Sequence, residues 1–583
     1  MRNQIKRWVV TLVVTVCLVA NSRAQAAAVP PLYRVNAPHF SNDLIFDQTA
    51  VFWFGRVTPT ENYADVRVAY IDQALWLHVN IMDQHLWYDT LPTPATLTDW
   101  DSVTVYLDKR GNIGNTPTKD SYRFDGQLSW WESRTDYQAT YQGNGATWES
   151  ASIPFTTYNN WNGSVPPNEP GAHQGWFIAF RIPFDSLGLS APPPDGTTWG
   201  LGIVLHDRDT ATGPMTADKS WPPNLSTNQP SAWGQLRFGL PSYVPPTSIV
   251  TQGATTIRQG LNGATVQDAA VGGDTECGGS VADYFVQWGN LNYAHKTPFN
   301  VQNVEAISEW PCFSKAYVTF PLSLVPAGKS IVSATLTLYH SGNPGPAPEP
   351  AYIQVFSVGD DWNESTITWN NAPLARENLG GTLIPSVQAA PPYPGIPYTW
   401  DVSRAVAEAY AANQPVRLAL YSSHGPFHGG RYFHSSDVED YNAQGRPTLS
   451  LTWGSTGPTL GTGVQPAYAS TGATVTYTLS LLGSGQTMSL TNDLPSLVSA
   501  PLKLTTVGGS AATYSAQSHR VTWSGTVASG VPVTIVFPVT VMAVTPVALY
   551  STTILTDSQT GVATSTTTLI ANGRHLFLPL IRK

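Results

Sequence analysis

Charge is scarce in this chain. Only 12% of its 583 residues are Asp, Glu, Lys or Arg, and the formal balance is −9. The deficit falls on the basic side: residues 31–245 carry 12 basic and 21 acidic side chains, and residues 246–455 carry 9 and 16. DNA, RNA and anionic polysaccharides are held mainly by lysine and arginine, so this surface excludes them and leaves neutral glycans. Residues 456–583 reverse the sign with 5 basic and 2 acidic side chains.

Cysteine is scarcer still, with three in all. Cys17 lies inside the N-terminal apolar run, which leaves Cys277 and Cys312. Two cysteines without paired histidine spacing do not make a zinc site, and in an exported chain an even pair reads as a disulfide. Closing such a loop stabilises by roughly 3–4 kcal/mol. Long apolar runs are confined to the start, where Arg2, Lys6 and Arg7 precede Trp8–Ala20 and small residues follow. This is the layout of a secretory signal over residues 1–28, too short for a membrane anchor, and it predicts a secreted product. Enzyme signatures are missing too: there is no G-x-S-x-G elbow, H-E-x-x-H, Walker loop or dinucleotide fingerprint.

What is plentiful is glycine (48), proline (47), tryptophan (20) and threonine, set among many short alternating segments. That combination predicts an all-β chain of three tandem β-sandwiches after the signal. In residues 31–245, Val66, Val68 and Tyr70 alternate, as do Leu75, Leu77, Val79 and Ile81, and then Val103, Val105 and Leu107. The proline-rich stretch 240–248 reads as a linker. In residues 250–455, Ala316, Val318, Phe320 and Leu322 share a face, and Val332, Ala334, Leu336 and Leu338 share another. One helix is predicted within "DVSRAVAEAYAAN", with Asp401 as its N-cap. Threonine- and valine-rich alternations fill 456–572, and 573–583 is a tail ending "LFLPLIRK", for which sorting or surface anchoring is one reading.

Several of these segments carry family resemblances. Residues 31–245 resemble family 9 carbohydrate-binding modules and the wider DOMON-like sandwiches. The match rests on "V-x-D-x-x-L-W" (Asp83, Leu86, Trp87), "DSVTVYLD" and the segment from Gly175 to Gly188. Residues 250–455 resemble the DNRLRE domain, related to carbohydrate-binding module family 96, through "SATLTLY", "DDWNESTITWNNAP" and "WDVSRAVAEAY". Its name-giving motif is altered to "SSDVEDYNAQGRP". Residues 456–572 resemble the Ig-like conserved-repeat domains of bacterial surface proteins, which are usually stalks. The first resemblance implies a sugar sandwiched by a tryptophan pair and calcium supporting the fold.

Indole faces stack on the C–H faces of pyranose rings while neighbouring polar groups bond the hydroxyls. Twelve tryptophans fall in residues 31–245. "QLSWWESRTDY" offers Trp130 and Trp131, which point opposite ways in an extended segment. Trp87, beside Tyr88, and the loop-like Trp161 and Trp221 complete the predicted sugar-binding set. Trp76, Trp176 and Trp199 lie in alternating strands and are assigned to the core. Asp207 and Asp209 in "LHDRDT" are the strongest acid–base pair, but adjacent loop carboxylates more often bind calcium or solvate a turn. His424, His428 and His434 lie among glycines and a proline that exclude a helix, so they read as a hairpin loop. In "DDWNESTITWNNAP", strand parity places Ile367 and Trp369 in a core and leaves Trp362 partly exposed.

These readings converge on an exported, non-catalytic protein that binds polysaccharide by aromatic stacking. Two rivals remain: a structural surface or adhesion protein built of spacer sandwiches, and a glycan-degrading hydrolase or lyase.

Overall fold

The computed structural model describes residues 32–573 apart from 247–248, 280, 345–348, 426–428, 484, 529–530 and 558–560. The signal segment, His428 and residues 574–583 therefore lie outside the described residues. Six sheets pair into three sandwiches, so the chain is all-β. In the first, an eight-stranded sheet faces a six-stranded one. The six-stranded sheet runs Thr156–Gly163, His173–Pro183, Ala74–Met82, Glu61–Ile71, with Ala50–Thr58 and His39–Phe40 flanking the last. The second sandwich pairs a six-stranded sheet with a five-stranded one ordered Gln267–Gly272, Ser314–Phe320, Val416–Ser422, Ala351–Val358, Ala375–Ile384. The third pairs four strands with six between Thr459 and Ala571 around its own core.

Alternation fixes each inner face, because successive strand residues point to opposite sides. Val66, Val68, Leu75, Leu77, Val79 and Ile81 are sealed between the first two sheets, and Ala316, Val318, Leu418 and Leu420 between the next two. The helix forms over Ser403–Ala411 with Val402, not Asp401, at its N-cap; the Asp401 carboxylate, one residue earlier, accepts the Ser403 amide at 2.9 Å. Cys277 and Cys312 are disulfide-bonded.

The outer faces decide the architecture. Val51, Trp53, Tyr63 and Met82 of the first sandwich form one buried cluster with Ala269, Tyr317, Phe356, Trp369 and Tyr421 of the second. The six-stranded sheet of one sandwich thus lies on the five-stranded sheet of the other, which makes a stack of four sheets. This replaces the picture of separate modules on a linker, and within 240–246 the Tyr243 hydroxyl donates to the Ile331 carbonyl at 2.7 Å.

At the centre of the seam Lys315 is fully buried. Its ammonium lies 3.6 Å from the ring centre of Trp369 and 4.3 Å from that of Trp53, with Tyr63 and Tyr421 close by. It donates to the Tyr63 hydroxyl at 2.7 Å, and that hydroxyl donates to Asp65 at 2.7 Å. The other Asp65 oxygen accepts from Tyr421 at 2.7 Å and from Asn303 at 3.1 Å. Burial pushes the Lys315 ammonium well below the usual lysine range, and the Asp65 charge opposes that shift.

Two expectations change. "DDWNESTITWNNAP" is a run of turns rather than a strand, held where Asn371 accepts the Thr368 amide at 2.7 Å and donates to Thr366. Ile367 and Trp369 are nonetheless buried and Trp362 half-buried, as parity placed them. Val332 leaves the shared face because the register shifts between Ile331 and Ser333, so Ile331 takes the core position.

Two predictions come from these buried groups. Asp65→Ala strips Tyr63, Tyr421 and Asn303 of their shared acceptor and Lys315 of the nearby anion, and should destabilise the first two sandwiches together by about 3–5 kcal/mol. Urea unfolding followed by tryptophan fluorescence checks this; a loss confined to one sandwich would contradict the fused seam. His340 is buried with neither ring nitrogen hydrogen-bonded, and burial, with Arg431 adding to it, pushes its imidazole down to about 4. The unfolded chain takes up a proton near pH 6.5 that the folded ring refuses, so stability falls as pH drops from 6.5 through 4. His340→Phe should flatten that limb of the urea midpoint against pH.

Candidate functional site

The exposed aromatics of the first sandwich gather at one place. Trp131 is 77% exposed and Trp130 47%, and their rings meet edge to face at 6.5 Å and 85°. Trp130 also meets Trp161 edge to face at 6.2 Å. The loop is not slack: Glu132 accepts both the Trp130 and Trp131 amides at 3.1 Å, and Tyr88 donates to its other oxygen at 2.7 Å. Three indoles are therefore presented on a fixed ridge. Trp161 pairs with Trp176 across neighbouring strands, which turns it coreward, but its strand is the sheet edge, so the ring stays half-exposed.

Beside the ridge the outer face of the six-stranded sheet is left uncovered where the second sandwich stops. The result is a groove of about 670 Å³. Trp76, His78 and Phe177 line its floor, Tyr158, Asn160 and Trp161 one side, and Phe46 with residues 305–308 of the second sandwich the other. The His78 ring stacks on Phe177 at 4.7 Å and meets Phe46 at 5.1 Å, while Tyr158 leans on Phe177 at 5.6 Å. Burial, then Arg67, pushes the His78 imidazole down to about 3, so the floor is neutral. Gly175, at φ +143°, admits the second sandwich here: a Cβ would sit 2.1 Å from the Ile81 carbonyl and 2.9 Å from Ile307. The ring system continues to His424, whose Nδ1 accepts the Glu305 amide at 3.0 Å.

At the ends of three strands a second constellation forms. Asp83, Asp101 and Asp207 are all buried, and carboxylate oxygens of Asp83, Asp207 and Asp209 lie within 4.8 Å of one another. Asp101 is satisfied by the Trp87 amide at 2.7 Å and the Arg208 amide at 2.8 Å. One oxygen of Asp83 and both of Asp207 are buried without a hydrogen-bond partner. Burial, then the charge of Asp207, pushes Asp83 well above the usual carboxylate range, and burial followed by Asp209 lifts Asp207 to about 7. The His85 amide donates to the other Asp83 oxygen at 2.9 Å and the Thr216 hydroxyl to Asp209 at 3.1 Å; carboxylates this crowded fit a hard cation, and an all-oxygen set favours calcium over zinc. A looser surface group joins His295 to Glu364 at 3.2 Å and to Asp437 at 3.4 Å.

The predicted sugar-binding residues divide. Trp131, Trp130 and Trp161 come together on the ridge. Trp87 is half-buried, on the loop whose amide Asp101 holds. Trp221 is only 1% exposed, because Lys219–Trp221 forms a short strand with Trp221 opposite Ile203 and its ring 4.3 Å from Phe52. It belongs to the core, contrary to its loop-like setting in the sequence. Trp176 and Trp199 are core, but Trp76 faces outward into the groove. Asp207 and Asp209 do come together, joined by Asp83 and Asp101, which sequence spacing alone did not connect. The signal for Trp76 was present: it alternates with Leu75 and Leu77, so it takes the face opposite to theirs.

Residues 279–452 match the family model of carbohydrate-binding module family 96. No curated protein matches the chain. Among solved structures, the chain is similar to a family 9 carbohydrate-binding module from Caldicellulosiruptor kristjanssonii in complex with cellotriose. The identity is 18%, with 36% of this chain and 99% of that one covered, at a TM-score of 0.26. A putative carbohydrate-binding protein from Bacteroides uniformis is similar at 13% identity over 36% of this chain and 99% of that one, at a TM-score of 0.27.

Proposed function

We propose that this is an exported, non-catalytic carbohydrate-binding protein that holds neutral glycans by stacking sugar rings on Trp131, Trp130 and Trp161. The observation that carries the reading is the ridge itself. Two large apolar rings, Trp130 and Trp131, stand in solvent on a loop fixed by Glu132 beside the half-exposed Trp161 of the edge strand, an arrangement that folding alone does not call for. The family model matched by residues 279–452 supports the same class of ligand. The third sandwich would act as a spacer, at a cell surface or free in the medium. In this reading calcium fills the oxygen cluster of Asp83, Asp207 and Asp209, neutralises their repulsion and braces the Trp87 loop through Asp101.

A pull-down on insoluble neutral polysaccharides, with calcium present, tests the ridge. Trp131→Ala combined with Trp130→Ala should weaken retention by about 1–3 kcal/mol, roughly 5- to 150-fold, with the fold intact by circular dichroism. Retention equal to the unchanged chain would remove the ridge from the mechanism. Failure of the unchanged chain to hold cellulose, xylan, mannan or starch would favour the spacer reading. Millimolar calcium should raise the Tm at neutral pH, and Asp207→Asn should abolish that rise while zinc fails to reproduce it.

A further inference from the structure

The groove between the first two sandwiches has no counterpart in a single module, since its far wall belongs to the other one. It shares Trp161 with the ridge: that indole meets Trp130 on one side and lines the groove that holds Phe177, His78 and Phe46 on the other. Its walls also hold two donors without acceptors: the Trp76 indole N–H, and one terminal amino group of Arg67, a side chain only 1% exposed. The rest of that guanidinium is spoken for, donating to the Ser423 and Val304 carbonyls and to Asn303. The floor is neutral and aromatic, and Asn160 and Glu305 stand at the rim. Flat apolar rings, acceptor-hungry N–H groups and an amide and a carboxylate at the edge are together the chemistry that recognises a hydroxyl-covered pyranose chain.

We infer that the groove is the inner half of a composite site, which takes the continuation of a neutral oligosaccharide whose outer residues lie on the tryptophan ridge. This rests on the reading above that the ridge holds neutral glycan. It adds that long chains are bound by both sandwiches at once, and that residues 305–308 of the second sandwich are part of the binding surface. Short saccharides fill the ridge alone. Longer ones reach Phe177 and His78, and gain affinity from the additional stacks.

The test uses the full chain, titrated by calorimetry with cellobiose and cellohexaose, and with the matching xylo-, manno- and malto-oligosaccharides. Two groove variants are used: Phe177→Ala, which removes floor, and Ser308→Trp, which fills the space from the second sandwich and leaves the first unaltered. For whichever series binds, the hexaose should bind about tenfold tighter than the biose, and both variants should erase that difference while sparing the biose. Trp130→Ala with Trp131→Ala should weaken both lengths. Hexaose affinity unchanged in both groove variants overturns the composite site and leaves the ridge standing. Loss in the groove variants with none in the ridge variant removes the ridge and keeps the groove. No binding of any hexaose by the unchanged chain removes both.

Discussion

The position of Lys315 constrains everything else in the first two sandwiches. An ammonium taken wholly out of water is tolerated only where aromatic faces and a hydrogen-bonded anion replace its hydration. Trp53 and Tyr63 come from one sandwich, Trp369 and Tyr421 from the other, and Asp65 reaches across through both tyrosines. Neither sandwich alone completes this shell. The two sheets must therefore meet in one register, and Asn36 with Asn378 and Val57 with Asn370 fix the same register at the edges.

That register produces the groove. The outer face of the six-stranded sheet is wider than the part the second sandwich covers. Tyr63, Asp65, Asn80 and Met82 fall under the seam, while Trp76, His78, Phe177 and Tyr158 on the same face fall beyond it. Residues 305–308 lie at the boundary, tied to the first sandwich by Asn80, which donates to the Glu305 carbonyl at 2.8 Å. A structural contact and a candidate ligand surface thus adjoin on one sheet. Their division is set by where the second chain segment ends its cover, not by any change in the strands beneath.

Much of this was legible in the sequence, and what was not has a physical cause. Strand parity settles which residues face inward, and it locates the cores around Val66, Leu77 and Val318; Trp369 is buried as expected, but from a turn rather than a strand. It is silent on what covers the other face. Strands buried on both sides read as unbroken apolar runs, and "AVFWF" at residues 50–54 is such a run, with "AYVTF" at 316–320 interrupted only by Thr319. Those were the available signs that the outer faces were not for water. Trp76 reads as core because it lies in an alternating strand, although its parity opposes that of Leu75 and Leu77. Trp221 was assigned to a loop because prolines follow it, although three residues suffice for a strand when a sheet edge is waiting. The carboxylate cluster needed strand ends far apart in sequence to meet, which no local spacing reveals.

The two carboxylate arrangements show how burial changes what the same chemistry means. Asp65 is buried and fully answered by two tyrosine hydroxyls and an amide, so it acts as a fixed anion that holds the seam. Asp207 is buried with neither oxygen answered and stands against Asp83 and Asp209, so its charge is opposed at neutral pH. The first arrangement is closed and needs no further group. The second is crowded: three carboxylates stand within 4.8 Å of one another, with the His85 amide on Asp83 and the Thr216 hydroxyl on Asp209 as the nearby donors. The backbone amides of Trp87 and Arg208 are already used on Asp101. Protonation relieves the cluster in part, since Asp83, Asp101 and Asp207 are all pushed above the usual carboxylate range, and because Asp101 also holds the Trp87 loop, charge at the cluster and order in that loop meet at one carboxylate.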